Sequence, residues 1–99
     1  MDGVKDVNVY NKIFEAVEKV PGASNPHRVR SRMIGNRYII TLDIEVNPQI
    51  TITQAHEIAG AVEKSIESSI DNVYDILVHV EPAGECQTDE KFGVDKDMV

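Results

Sequence analysis

The sequence predicts an α+β domain, a two-layer open-faced sandwich with the element order α-β-β-α-β. Three observations predict it. Two segments repeat apolar residues at helical spacing, three alternate side chains at strand spacing, and turn residues separate all five.

The first helix is expected over residues 8–20, where Val9, Ile13, Ala16, Val17 and Val20 make an apolar stripe and Lys12, Glu15 and Lys19 lie off it. Pro21 and Gly22 end it. Ser24-Asn25-Pro26 reads as a turn. Residues 27–34 then alternate, with Arg28, Arg30 and Arg32 on one face and His27, Val29, Ser31 and Met33 on the other. Gly35-Asn36 joins this strand to residues 37–46 as a hairpin. In that second strand Tyr38, Ile40, Leu42, Ile44 and Val46 form an apolar face, opposite Ile39, Thr41, Asp43 and Glu45.

Asn47-Pro48 breaks the strand, and Thr53 is a candidate N-cap for a helix running to about residue 69. Its buried stripe is Ala55, Ile58, Ala59, Val62 and Ile66, continued by Ile70. Asp71-Asn72 turns the chain into a strand over 73–81. There Tyr74, Ile76, Val78 and Val80 face one way, and Val73, Asp75, Leu77, His79 and Glu81 the other. Pro82 closes it. The organisation expected is an N-terminal linker over 1–7, one domain over 8–82 and a mobile acidic tail over 83–99. Two helices on one face of a three-stranded sheet leave the other face for solvent, a ligand or a partner.

Ninety-nine residues make one domain near the lower end of what buries an adequate core alone, so a homodimer is a reasonable expectation. The formal charge of −7, from 17 acids and 10 bases, disfavours nucleic acid and anionic membrane surfaces. One cysteine, Cys86, excludes an intramolecular disulfide and fits a reducing compartment. No apolar run approaches the roughly 18 residues of a membrane span, and no signal peptide is expected. The chain could still be a piece of a membrane protein. No nucleophile with a paired base and no phosphate-binding glycine loop is present, so an enzyme is not expected.

The chemistry-bearing residues are three histidines and several carboxylates. His79 and Glu81, two apart on a strand, share a face, and Asp43 lies on the corresponding face of the second strand. His27 opens the first strand. His56 is expected in the first turn of the second helix, where the helix dipole favours a neutral imidazole. Converging, these groups would make a nitrogen and oxygen site suited to Zn²⁺, with Mn²⁺, Fe²⁺, Co²⁺ or Ni²⁺ as alternatives. Taken singly, each is more often a solvated or capping group.

Four motifs occur in order: Val-Pro-Gly leading to His27-x-x-Arg-x-Arg, a glycine hairpin, Gln-Ala-His56-x-x-Ala, and Val-His79-x-x-Pro. Together they resemble the cytoplasmic C-terminal domain of cation diffusion facilitator transporters over residues 8–82. The resemblance implies a fold similar to ferredoxin-like metallochaperones and a V-shaped homodimer. It also implies a covalently linked six-helix membrane domain that exchanges Zn²⁺ or a similar ion for protons. Metal would draw the protomers together and so regulate transport. It carries over His27, His56 and His79 as ligands. Asp43 stands where a zinc-transporting branch has histidine, and Glu81 where that branch has aspartate. The expected function is therefore the regulatory metal-binding and dimerisation domain of a divalent cation/proton antiporter. The alternatives are a purely structural dimerisation domain and a free-standing metal carrier.

Overall fold

In the computed structural model, which describes the backbone of residues 2–84 and the side chains of residues 8–84, the order is α1 (Asp2–Glu18), β1 (Ser24–Ile34), β2 (Arg37–Val46), α2 (Ile52–Ser69) and β3 (Val73–Pro82). The sheet order is β1-β2-β3, with β1 antiparallel and β3 parallel to β2. The parallel pair needs a crossover, and α2 supplies it.

The expected layers are present. Ile40, Leu42, Ile44 and Val46 of β2 and Ile76 of β3 point at the helices and are buried against Ile13, Ala16, Val17, Val62 and Ile66. Period-2 alternation on the strands and the 3.6-residue stripe on the helices thus meet in one core. The Ser65 hydroxyl donates to the Ala16 carbonyl at 2.8 Å and ties α2 to the end of α1. Gly22 turns the chain out of α1 with φ at 93°, and a Cβ there would lie 2.8 Å from Ile58 Cδ1. The left-handed backbone favours glycine, and any side chain there would also have to push aside the end of Ile58.

Four local expectations are corrected. Helix α1 covers Asp2–Glu18 rather than 8–20, so residues 2–7, expected as linker, are helical. An acid at the first position and no proline before Pro21 allow that extension. β1 begins at Ser24, because the Asn25-Pro26 pair is accommodated in an edge strand, where proline costs no ladder bond. The N-cap of α2 is Thr51, not Thr53. Its side chain accepts from Gln54 N while Gln54 Oε1 accepts from Thr51 N, each at 3.0 Å, a closed capping box. The fourth correction, the face occupied by His27, belongs to the site. Of the tail, only the turn at Ala83–Gly84 is described, and residues 85–99 lie outside the described residues.

Candidate metal centre

The open face of the sheet is built in rows that cross all three strands. Ser24, Glu45 and Glu81 form one row. His27, Asp43 and His79 form the next, followed by Arg30, Thr41 and Leu77. Asp43, Glu45, His79 and Glu81 reach this face by plain alternation, since neighbouring rows are two residues apart on β2 and β3.

His27 arrives differently. From Ser24 to Arg30, β1 spends three residues on each two of β2: Ser24 faces Glu45, His27 faces Asp43, and Arg30 faces Thr41. The extra residues are taken up at Asn25, with φ at 48°, and Arg28, with φ at 51°. Each such bulge reverses the parity of the strand. His27 therefore shares the open face with Arg30 and Arg32, whereas strict alternation placed it opposite them. Val29 packs against the core.

Around this row the polar groups converge. His27 Nε2 lies 3.1 Å from Glu81 Oε1 and 3.8 Å from Asp43 Oδ2. His79 Nδ1 lies 3.6 Å from Asp43 Oδ1 and 3.6 Å from Glu81 Oε2. Two groups of donor atoms fall within 4.8 Å of one another, one from Asp43, His79 and Glu81, the other from His27, Glu45 and Glu81. Zinc–nitrogen and zinc–oxygen bonds of about 2.0–2.2 Å in a tetrahedral site set donors about 3.3–3.6 Å apart. The separations found here are of that size, so the donor set fits a small divalent cation.

The orientation of His27 is fixed from behind. Its Nδ1 is 2.7 Å from the Asn25 carbonyl, which only accepts, so Nδ1 donates there; Nε2 donates to Glu81 when the ring is protonated and turns its lone pair to a metal when the ring is neutral. The same Asn25 carbonyl is the largest cause of a raised His27 pKa. Burial opposes the rise, and the Glu81 and Asp43 carboxylates add to it. Asp43 is the one charged residue in the buried set among the described residues, at 9% exposure. A carboxylate there needs partners; it has His27, His79 and Arg28, whose Nε is 3.4 Å from Asp43 Oδ2.

Four of the five expected ligands are thus together: His27, Asp43, His79 and Glu81. His56 is not with them. It is exposed on α2, in the helix layer, and belongs to neither donor group. With the cap at Thr51 it is also past the first turn, so the dipole argument made for it lapses. Glu45 was not expected as a ligand. The signal was available, because it precedes the strand end by one residue and shares the face of Asp43. Its Oε2 accepts from Asn25 Nδ2 at 2.8 Å.

The family model for the cytoplasmic domain of cation efflux proteins matches residues 6–83. The magnetosome protein MamM of Magnetospirillum gryphiswaldense is 35% identical over 81 residues, 82% of this chain and 26% of that protein. The manganese efflux system protein MneS of Bacillus subtilis is 30% identical over 81 residues, 80% of this chain and 26% of its own length. The metal-bound C-terminal domain of the CzcD transporter from Thermotoga maritima superposes with a TM-score of 0.77 at 38% identity, covering 81% of this chain and 93% of that one. The chain belongs to the family of cytoplasmic domains of cation efflux proteins, as the four motifs led us to expect. It spans about a quarter of the length of the curated relatives it matches.

Proposed function

We propose that this domain binds a divalent cation, Zn²⁺ or a similar ion such as Mn²⁺, on the open face of its sheet, and that binding regulates the cation/proton antiporter to which it is covalently linked. The observation that carries the reading is the Glu81 carboxylate, which stands between both imidazoles, 3.1 Å from His27 and 3.6 Å from His79, with Asp43 beneath. Two imidazoles and two or three carboxylates form a borderline-to-hard donor set without thiolate, which suits these ions. The metal-bound CzcD domain and the manganese transporter MneS are consistent with that choice. The domain acts as a homodimer. The open face carries the site, and a metal held there would draw two protomers together by neutralising facing carboxylates.

A second reading has its own observation. Arg28 already offers Asp43 a cation at 3.4 Å, as a purely structural ion network would. Calorimetric titration of the chelator-stripped protein with Zn²⁺, alongside His79→Ala, separates the two. Saturable micromolar binding that is lost in His79→Ala supports the metal site. No heat in the native protein leaves a dimerisation scaffold.

A further inference from the structure

The His27-x-x-Arg30-x-Arg32 motif gives its histidine to the metal centre and leaves its two arginines without a task. The net charge of −7 hides a segregation: all four arginines fall within residues 19–42, a stretch that holds none of the 17 acids. Two of the four have partners. Arg28 Nε lies 3.4 Å from Asp43 Oδ2, and the Arg37 guanidinium stands 5.9 Å from the centre of the Tyr74 ring. Arg30 and Arg32 are exposed and form no ion pair among the described residues. With Thr41 and Ile39 they line a cavity of about 220 Å³ on the open face. Asp75 shares the row of Arg32, but its Oδ1 is turned to its own strand and accepts from the Ile76 amide at 3.0 Å.

We propose that Arg30, Arg32 and Thr41 bind a phosphate group, either free in solution or at the head of a lipid. The inference does not rest on metal binding. Arg30 and Arg32 are successive positions on the open face, about 6.6 Å apart at the backbone. Two guanidinium forks, each bonded at about 2.7–2.9 Å, fit onto opposite sides of one tetrahedral phosphate, which holds their heads several ångströms apart. A carboxylate offers one pair of oxygens in one plane, and a single fork fills it. Thr41 is paired with Arg30 across the ladder and adds a hydroxyl donor. Ile39, paired with Arg32, walls the cavity with apolar surface, and the lower local dielectric strengthens the charge pairing. Unfilled, the cavity sets two like charges side by side. Thr41 lies one row past Asp43, so a phosphate held here leaves the His27–Asp43–His79 row uncovered.

The test uses the full chain, stripped of metal and then freed of the chelator, itself a polyanion, so the metal reading has no bearing on the result. Two probes separate the sources. The first is inorganic phosphate, titrated at constant ionic strength against chloride and followed by the amide signals of Arg30, Arg32 and Thr41. The second is a phosphatidylcholine vesicle containing phosphatidic acid, with phosphatidylcholine alone as control and the bound fraction read by sedimentation. Saturable shifts with inorganic phosphate assign the site to free phosphate. Sedimentation with phosphatidic acid and no response to inorganic phosphate assigns it to a lipid head. In either case the response should vanish in Arg30→Ala/Arg32→Ala. Arg30→Lys/Arg32→Lys keeps both charges but loses the forks, and should weaken binding at least about tenfold. No response to either probe overturns the proposal, as does a response that survives in the alanine variant or is equal for both vesicles. Native affinity in the lysine variant also overturns it, since diffuse positive charge would then suffice.

Discussion

His27 and Glu81 touch across the whole sheet: their side chains meet at 3.1 Å although β1 and β3 are the outer strands and β2 lies between them. Paired rows set neighbouring strands about 4.8 Å apart, so the contact bridges about 10 Å of backbone over Asp43. The bulge at Arg28 makes it possible, by turning His27 onto the open face and against the carboxylates.

That contact gives the free and metal-bound protein opposite responses to acid. The His27 pKa is raised in the folded state by the Asn25 carbonyl, with Glu81 and Asp43 adding to it. A raised value stabilises the metal-free fold fully below the unfolded value of about 6.5, and the gain is lost as pH rises through the folded value. Metal requires the neutral ring, so protons compete with it over the same range. Between about pH 8 and 6 the melting temperature in chelator should hold or rise as pH falls, while the increment added by Zn²⁺ should shrink. His27→Ala should flatten the first trend and weaken Zn²⁺ binding at least about tenfold by calorimetry, since even loss of a partner behind a ligand costs about 10–100-fold.

Asp43→Leu separates binding from folding. The carboxylate is buried, but its partners His27, His79 and Arg28 all keep contact with solvent, so its removal strands no cation out of water and avoids the penalty of breaking a fully buried pair. In chelator the unfolding free energy of Asp43→Leu should stay within about 1 kcal/mol of native, the size of a solvent-accessible ion pair. At Zn²⁺ about 100 times the native dissociation constant, the native protein should gain about 2.7 kcal/mol, or roughly 10–20 °C for a domain of this size. Thermal scans should show that gain absent in Asp43→Leu.

Arg28 is a resident cation beside a cation site. A unit charge about 6 Å from a divalent ion opposes it by roughly 1.4 kcal/mol in water, less once salt screens it. Arg28→Gly should therefore tighten Zn²⁺ binding, by up to about tenfold. Glycine also accepts the φ of 51° without the Cβ strain of about 1–2 kcal/mol, so denaturant titration should show no loss of stability.

Gly22→Ala should destabilise by about 1–3 kcal/mol, because the left-handed backbone and the 2.8 Å approach to Ile58 act together. Its metal affinity, measured below its melting temperature, should be native, since the turn lies away from the open face.

Much of this was legible in the residues, and the exceptions have physical causes. The β2 and β3 faces follow from alternation alone, which puts Asp43, His79 and Glu81 on one face. Strict alternation sets His27 opposite Arg30 and Arg32, but parity survives only in an unbulged ladder, and nothing in the alternation of residues 27–34 announces a left-handed Arg28. Thr51 and Thr53 both satisfy a helix N-cap, and only the Gln54 partner three positions after Thr51 distinguishes them. His56 belongs to the same series of motifs as the other histidines but lies in the helix layer, and a motif carries no layer.

The two outer strands have one more consequence, for kinetics. His27 and Glu81 are 54 residues apart in the chain, and Asp43 joins them only when the hairpin and the α2 crossover are both in place. Such long-range contacts form late on the route to the folded state. An ion bound there should leave the refolding rate almost unchanged and slow unfolding instead, because it stabilises what the transition state has yet to assemble. The metal would then set how long each folded copy lasts, and the chain alone would set how fast it forms.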